Sequence, residues 1–128
     1  MKLFFSKTGF EQDYEPQVCF EGSTFELSDF IRAIKTHLAT YQENVVQMNL
    51  SIETNDLKAE FYIKEDDNVL TKITGNKLII SLDKKYWIEI INLISPLTFK
   101  IGYQFVEFDD YSLFYNATIL FRSVPPLA

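Results

Sequence analysis

The sequence predicts an α+β fold, in which a mainly antiparallel sheet carries two helices packed on one face. Three observations lead to this prediction: two amphipathic helical segments, several segments that alternate apolar and polar residues, and a high content of Phe and Tyr, which favour strands. Because the chain has 128 residues, we expect one domain over residues 1–128 rather than two.

The first half of the chain opens with two short strands and a helix. Leu3–Ser6 and Val18–Glu21 have the composition of strands. Ser23 followed by Glu26 has the spacing of a capping box, which marks the start of a helix. Apolar residues then recur with the helical period at Leu27, Ile31, Ile34 and Leu38. The predicted helix runs from about Leu27 to Tyr41.

The middle of the chain alternates with a period of two, as in strands that have one face in water. Two such runs cover Val46–Ile52 and Leu57–Ile63. Gly75 and Asn76 lie between two further apolar runs and indicate a tight hairpin. We therefore expect residues 45–82 to form an antiparallel meander of four strands.

A second helix and a long hairpin are expected to complete the chain. Asp83 is suited to cap the helix and Pro96 to end it. Its apolar stripe consists of Trp87, Ile90, Ile91 and Ile94. The hairpin is expected to pair residues 99–108 with residues 113–122. On its first strand, one face holds Phe99, Ile101, Tyr103 and Phe105, and the opposite face, predicted to be wet, holds Lys100, Gln104 and Val106.

The two halves of the chain look alike, each as a βαββ unit. The apolar stripe of the first helix aligns with that of the second, and Val46–Ile52 and Leu57–Ile63 would correspond to Phe99–Phe105 and Leu113–Ile119. Two explanations are compatible with this likeness. One is an internal duplication, and the other is an amphipathic pattern that two unrelated units share.

The sequence offers no recognisable catalytic apparatus. His37 and Cys19 are the single residues of their types, and neither has a neighbour in sequence that would activate it. A zinc site needs more such ligands, the carboxylates lack the spacing of an EF-hand loop, and no Gly-rich phosphate loop is present. We predict a protein that is not an enzyme and that uses no cofactor and no metal. An enzyme that combines carboxylates with a divalent metal is the third hypothesis.

The net charge of −6 and the isoelectric point near 4.7 disfavour two classes of partner. Nucleic acids and anionic membrane surfaces both attract clustered Lys and Arg, whereas a basic protein would be attracted to this chain. One cysteine cannot form a disulfide within the chain, and no signal peptide or transmembrane run is recognisable. We expect a cytoplasmic protein.

The predicted partner-binding surface is an acidic turn beside aromatic residues. The residues of this surface on the final hairpin are Glu107, Phe108, Asp109, Asp110 and Phe114, and a second acidic turn holds Glu65, Asp66 and Asp67. Phe108, Phe114 and Leu120 are too apolar for a wet face, so either a partner or another segment of the chain, such as the strand at Leu3, covers them. For the acidic turns, the alternative is a merely solvated loop.

Three segments of the second half resemble small immunity proteins of bacterial toxin systems: Lys77–Ser81, Gly102–Phe105 and Asn116–Phe121. Where some of those proteins have a histidine before the last turn, this chain has Tyr103 and Phe105. The resemblance implies an acidic single domain that binds a cognate toxin, such as a nuclease, and inhibits it. The alternative function is a homo-oligomeric structural module, a homodimer for example, or a small-ligand-binding module.

Overall fold

The computed structural model describes residues 1–6, 17–40, 46–53, 58–64, 70–74, 76–106 and 118–125. These residues form eight strands, two α-helices and one short 3-10 helix. In chain order they are β1 (Lys2–Ser6), β2 (Gln17–Gly22), α1 (Thr24–Thr40), β3 (Val46–Glu53), β4 (Lys58–Ile63), β5 (Leu70–Thr74), β6 (Lys77–Leu82), α2 (Lys84–Ile94), the 3-10 helix (Ser95–Thr98), β7 (Gly102–Val106) and β8 (Thr118–Ser123). The predicted α+β class is confirmed.

The strands form two four-stranded sheets rather than one. The first sheet has the order β1-β2-β8-β7, and the second has the order β3-β4-β6-β5. In each sheet the outer pairs are antiparallel and the central pair, β2 with β8 or β4 with β6, is parallel. Antiparallel pairs predominate, as expected.

The predicted meander over residues 45–82 is wrong in its strand order. After β4 the chain forms β5 at the edge of the second sheet, and the following hairpin returns β6 to the position between β5 and β4. Leu78, Ile80 and Leu82 of β6 are almost completely buried. A strand with this many buried residues gains most from a central position, where both neighbouring strands shield it from water.

The two halves of the chain are topologically equivalent, each with the order ββαββ. Gln17 of β2 pairs with Thr118 of β8, and Lys77 of β6 pairs with Lys58 of β4. Gln17 is equivalent to Lys77, and Lys58 is equivalent to Thr118, so the residues of each equivalent pair are 60 positions apart. Each sheet therefore contains one hairpin from each half. The predicted unit lacked its first strand, and the strand equivalent to β4 is β8, not Leu113–Ile119. The same spacing separates the first residues of the two helices, Thr24 and Lys84, and favours an internal duplication, whereas the edge strands β1 and β5, and β3 and β7, are spaced differently.

Both helices begin as their sequences predict. Ser23 Oγ accepts from the Glu26 backbone N–H at 3.1 Å, and Glu26 Oε1 accepts from the Ser23 backbone N–H at 3.1 Å. This reciprocal pair is a capping box, although α1 begins at Thr24, earlier than predicted. At the equivalent position before α2, the Asp83 side chain accepts from the Lys85 backbone N–H at 3.0 Å. The helix α2 ends at Ile94, and Pro96 lies in the 3-10 helix that follows.

The helices and both sheets share one apolar core. Its centre is a cluster of aromatic rings from β2, α1, β4, α2 and β8, namely Phe20, Phe30, Phe61, Trp87 and Phe121. Phe20 and Phe121 of the first sheet stack with ring centroids 5.0 Å apart, and Phe20 lies 5.8 Å from Phe61 of the second sheet. Trp87 Nε1 donates to the Tyr62 carbonyl at 3.0 Å, which satisfies the one polar atom of the indole.

We expect the Glu26 carboxylate to stabilise the fold in a pH-dependent way. Its bond to the Met1 ammonium, and then its bond from the Ser23 backbone N–H, hold the pKa of Glu26 below its usual range. Because the pKa of Glu26 is lower in the folded chain than in the unfolded chain, Glu26 contributes to the free energy of unfolding above its unfolded-state pKa. This contribution is lost as the pH falls through the folded-state pKa. Because Glu26 is 46% exposed, Glu26→Gln should lower the free energy of unfolding by no more than about 1 kcal/mol at pH 7.

Urea unfolding of Glu26→Gln and of the parent chain at pH 7 and pH 3 measures this effect. The difference between the two proteins should shrink at pH 3. Glu89→Gln is the matched control, since Glu89 is an exposed carboxylate on α2. If Glu26→Gln and Glu89→Gln lowered the free energy of unfolding equally at pH 7, the capping contacts of Glu26 would contribute nothing beyond its charge.

Candidate protein-binding surface

The corner between α2 and β7 is fixed by hydroxyl groups. Ser95 Oγ donates to the Ile91 carbonyl at 2.5 Å, and Thr98 Oγ1 donates to the Ser95 carbonyl at 2.7 Å. Ser123 of β8, which is buried, donates to the Lys100 carbonyl at 2.7 Å and accepts from the Gly102 backbone N–H at 2.9 Å. The backbone of residues 95–102 is therefore held at both ends, against α2 and against β8.

This fixed corner exposes large apolar side chains. Phe99 is 75% exposed, Ile101 56% and Tyr103 41%. The Tyr103 ring packs edge-on against Phe105 of the same strand, with centroids 5.7 Å apart. Leu97, in contrast, is buried and anchors the 3-10 helix to the core. Exposed apolar side chains concentrated on a rigid segment are typical of interaction surfaces.

A half-open cavity of about 360 Å³ lies between the end of α2 and β7. One side is formed by Leu93, Pro96 and Leu97, and the other by residues 100–104. Lys100 is the one charged residue in this lining, and the remaining lining residues are apolar or neutral. The cavity is therefore a recess with a mixed polar and apolar lining that includes one charged residue, Lys100.

The face that β7 turns toward the core is the opposite of the predicted one. Val106 pairs with the buried Ile119 and lies in the core, whereas Tyr103 pairs with Arg122 on the other face. The reason is the register with β8, whose core residues Ile119 and Phe121 face Val106 and Gln104. Phe99, Ile101 and Tyr103 are thus exposed, whereas Phe105 pairs with the buried Leu120 and is half-buried. The sequence prediction missed the exposed surface that the first three residues form. The Ser123–Gly102 contact that fixes this register has no signal in the local sequence.

The predicted partner-binding residues all lie outside the described residues. They are Glu107, Phe108, Asp109, Asp110 and Phe114 on the segment between β7 and β8, and Glu65, Asp66 and Asp67 on the segment between β4 and β5. Their role stays a prediction. Leu120, which the prediction grouped with Phe108 and Phe114, is fully buried and so is covered within this chain.

Charge is distributed unevenly between the described elements and the segments that join them. Of the 18 acidic residues, 11 lie outside the described residues, and only one of the 12 basic residues, Lys7, does so. The described elements thus carry a positive net charge, and the negative net charge of the chain comes from the remaining segments. A basic partner would be attracted by those segments rather than by the sheets.

The residues considered for catalysis are separated by element and environment. Cys19 is fully buried in β2, and His37 is half-buried on α1. Within the described part of the chain, no group of three His, Cys, Asp or Glu residues could hold a metal ion. Neither helix described is long and apolar enough to cross a membrane.

Comparisons with protein families, curated proteins and solved structures found no match to this chain.

Proposed function

We propose that this chain is a non-catalytic protein-binding domain that associates with a basic protein and inhibits it, as an immunity protein inhibits its toxin. The observation that supports the proposal is the exposure of Phe99, Ile101 and Tyr103 on one fixed corner. A few well-packed side chains, among which Trp, Tyr and Arg are enriched, supply most of the binding energy at protein interfaces. Because hydrogen bonds already fix the corner, little further ordering opposes binding.

The net charge of −6 supports the choice of a basic partner. Opposite charge raises the rate of encounter and selects among partners, and it contributes less to the affinity of the final complex. The proposal therefore assigns two roles to two parts of the chain. The acidic segments attract the partner, and the apolar corner binds it.

The proposal predicts that Ile101→Ser weakens partner binding and that Ile88→Ser does not. Ile101 and Ile88 have the same side chain and are 56% and 44% exposed. Ile88 lies on α2, at an angle of about 140° around the helix from the cavity residue Leu93. The Ile101→Ser variant should bind at least about fivefold more weakly, which corresponds to the 1 kcal/mol that marks a residue important for binding.

The partner is first captured on the immobilised chain from an extract of the cells that produce it, and is then purified for measurement of affinity by interferometry. Circular dichroism checks that both variants keep the fold. A purified protein with an isoelectric point above neutrality and a selective loss in Ile101→Ser would support the proposal. Equal affinity of the two variants, or an acidic captured protein, would contradict it.

A further inference from the structure

We propose that the cavity between α2 and β7 receives one apolar side chain of the partner, and that a carboxylate next to this side chain pairs with Lys100. The inference rests on the proposed function and defines the chemistry of the segment that the partner inserts. The cavity, with about 360 Å³, is at the small end of the range of about 300–1,000 Å³ for ligand pockets. It is suited to a single large side chain and its immediate neighbour.

Gly102 leaves open space in one part of the cavity. A methyl group at this position would lie 3.6 Å from Leu97 Cδ2, which is an ordinary contact distance. Gly102 and Leu97 both line the cavity, so the missing side chain leaves this part of the recess open. Leu93, Pro96 and Ile101 supply the other apolar groups of a mixed lining and would contact an inserted aliphatic or aromatic group.

The positive charge of Lys100 favours a particular type of residue next to the inserted apolar side chain of the partner. The Lys100 ammonium makes no ion pair with the described residues, and the other lining residues carry no charge. An apolar group that enters the cavity places the next residue of the partner beside this ammonium. A carboxylate there gains a charge-assisted hydrogen bond, whereas a Lys or Arg there would be repelled.

A local acidic residue is compatible with a partner that is basic overall. The net charge of this chain acts over a Debye length of about 8 Å at physiological salt and governs the approach. Lys100 acts only when its ammonium contacts the partner's carboxylate, and this ion pair determines the position at which the segment binds. The two effects can therefore be separated by experiment, because only the first depends strongly on salt.

Four capped dipeptides serve as probes: acetyl-Leu-Asp-amide, acetyl-Phe-Asp-amide and their Asn counterparts. Each is titrated to millimolar concentration into the isotope-labelled chain, and backbone amide shifts are recorded. We expect saturable shifts at Gly102, Tyr103 and Gln104. The Asp peptides should bind at least threefold more tightly than the Asn peptides.

Three variants test the assignment to this cavity. Gly102→Ala narrows the recess without a steric clash and should weaken binding of the Asp peptides at least tenfold. Lys100→Gln should abolish the preference for Asp over Asn. Lys84→Gln, which removes an exposed ammonium from the first residue of α2, is the matched control and should behave as the parent chain.

Three outcomes would overturn the inference: shifts that avoid residues 102–104, equal affinity for Asp and Asn peptides, or parental affinity in Gly102→Ala. Sedimentation gives a further outcome, since a dimer that Gly102→Ala dissociates would identify a second copy of this chain as the occupant. If the dipeptide test fails while Ile101→Ser still loses the captured protein, the proposed function stands and only the inserted segment is wrongly assigned. If no protein binds at the corner at all, the proposed function itself fails.

Discussion

Phe61→Ala should lower the free energy of unfolding by about 3–5 kcal/mol, the range for loss of a large aromatic side chain from a core. Phe61 is fully buried on β4. Its ring centroid lies 5.6 Å from that of Phe30 on α1, 5.8 Å from that of Trp87 on α2 and 5.8 Å from that of Phe20 on β2. Truncation therefore removes contacts with both helices and with the first sheet at once.

Urea unfolding followed by Trp87 fluorescence measures the effect of Phe61→Ala, because Trp87 is the only tryptophan and is 1% exposed. The matched control is Phe25→Ala, since Phe25 lies on α1 and is 70% exposed. An exposed side chain of this kind should change stability by less than about 0.5 kcal/mol. Similar values for the two variants would show that the aromatic cluster does not hold the two sheets together.

The sequence was most informative where structure depends on neighbours along the chain. The capping box of Ser23 and Glu26 and the N-cap of Asp83 were both identified, because each requires only residues two or three positions apart. The apolar stripes of both helices were also correct, since a helix repeats its buried face every three or four residues. On β4, the alternation that buries Ala59, Phe61 and Ile63 was correct for the same reason.

The strand order could not be predicted in the same way. Both central pairs are parallel and join distant segments, so that Val18 lies beside Ile119 and Phe61 beside Ile80. A hairpin has a turn residue that reveals its pairing, whereas a parallel pair between two halves of a chain leaves no local trace. The meander is the simplest order of four strands, but β6, in which Leu78, Ile80 and Leu82 are buried, lies between β4 and β5.

The orientation of β7 shows how a wrongly predicted strand face conceals an exposed apolar surface. Phe99, Ile101, Tyr103 and Phe105 have the alternation of a buried face, and Gln104 and Val106 that of a mixed one. The pairing register with the neighbouring strand determines which face of a strand packs on the core. A shift of this register by one residue exchanges the buried and the exposed face. Here the polar Gln104 lies opposite Phe121, and of the apolar set Phe99, Ile101 and Tyr103 are exposed. Apolar alternation on a strand at the edge of a sheet can therefore mark an exposed face as well as a core.

Reversal of Asp109 and Asp110 to Lys should slow association with the captured basic partner at least tenfold at low salt. The change reduces the net charge of the chain from −6 to −2, and electrostatic attraction accelerates encounter by about 10- to 1,000-fold. Both residues belong to the acidic segment between β7 and β8, which the sequence predicts to contact the partner. The rate should also depend less on ionic strength, because less opposite charge remains to be screened. The melting temperature should not change.

The matched control reverses two acidic residues of the helices, Asp29 on α1 and Glu89 on α2, and so changes the net charge by the same amount. Asp29 pairs with Arg32 at 3.0 Å, but both side chains are largely exposed, so loss of this pair should affect stability by less than about 1 kcal/mol. Association rates of both double variants are measured by stopped flow from 20 mM to 500 mM salt, concentrations chosen to span Debye lengths of about 20 Å to about 4 Å. If only the Asp109 and Asp110 reversal slows association, the segment between β7 and β8 faces the partner in the encounter. If the two variants are slowed equally, the net charge alone attracts the partner. An unchanged rate for the Asp109 and Asp110 reversal at the lowest salt would exclude this segment from the encounter and leave the corner at Ile101 as the contact that the partner meets first.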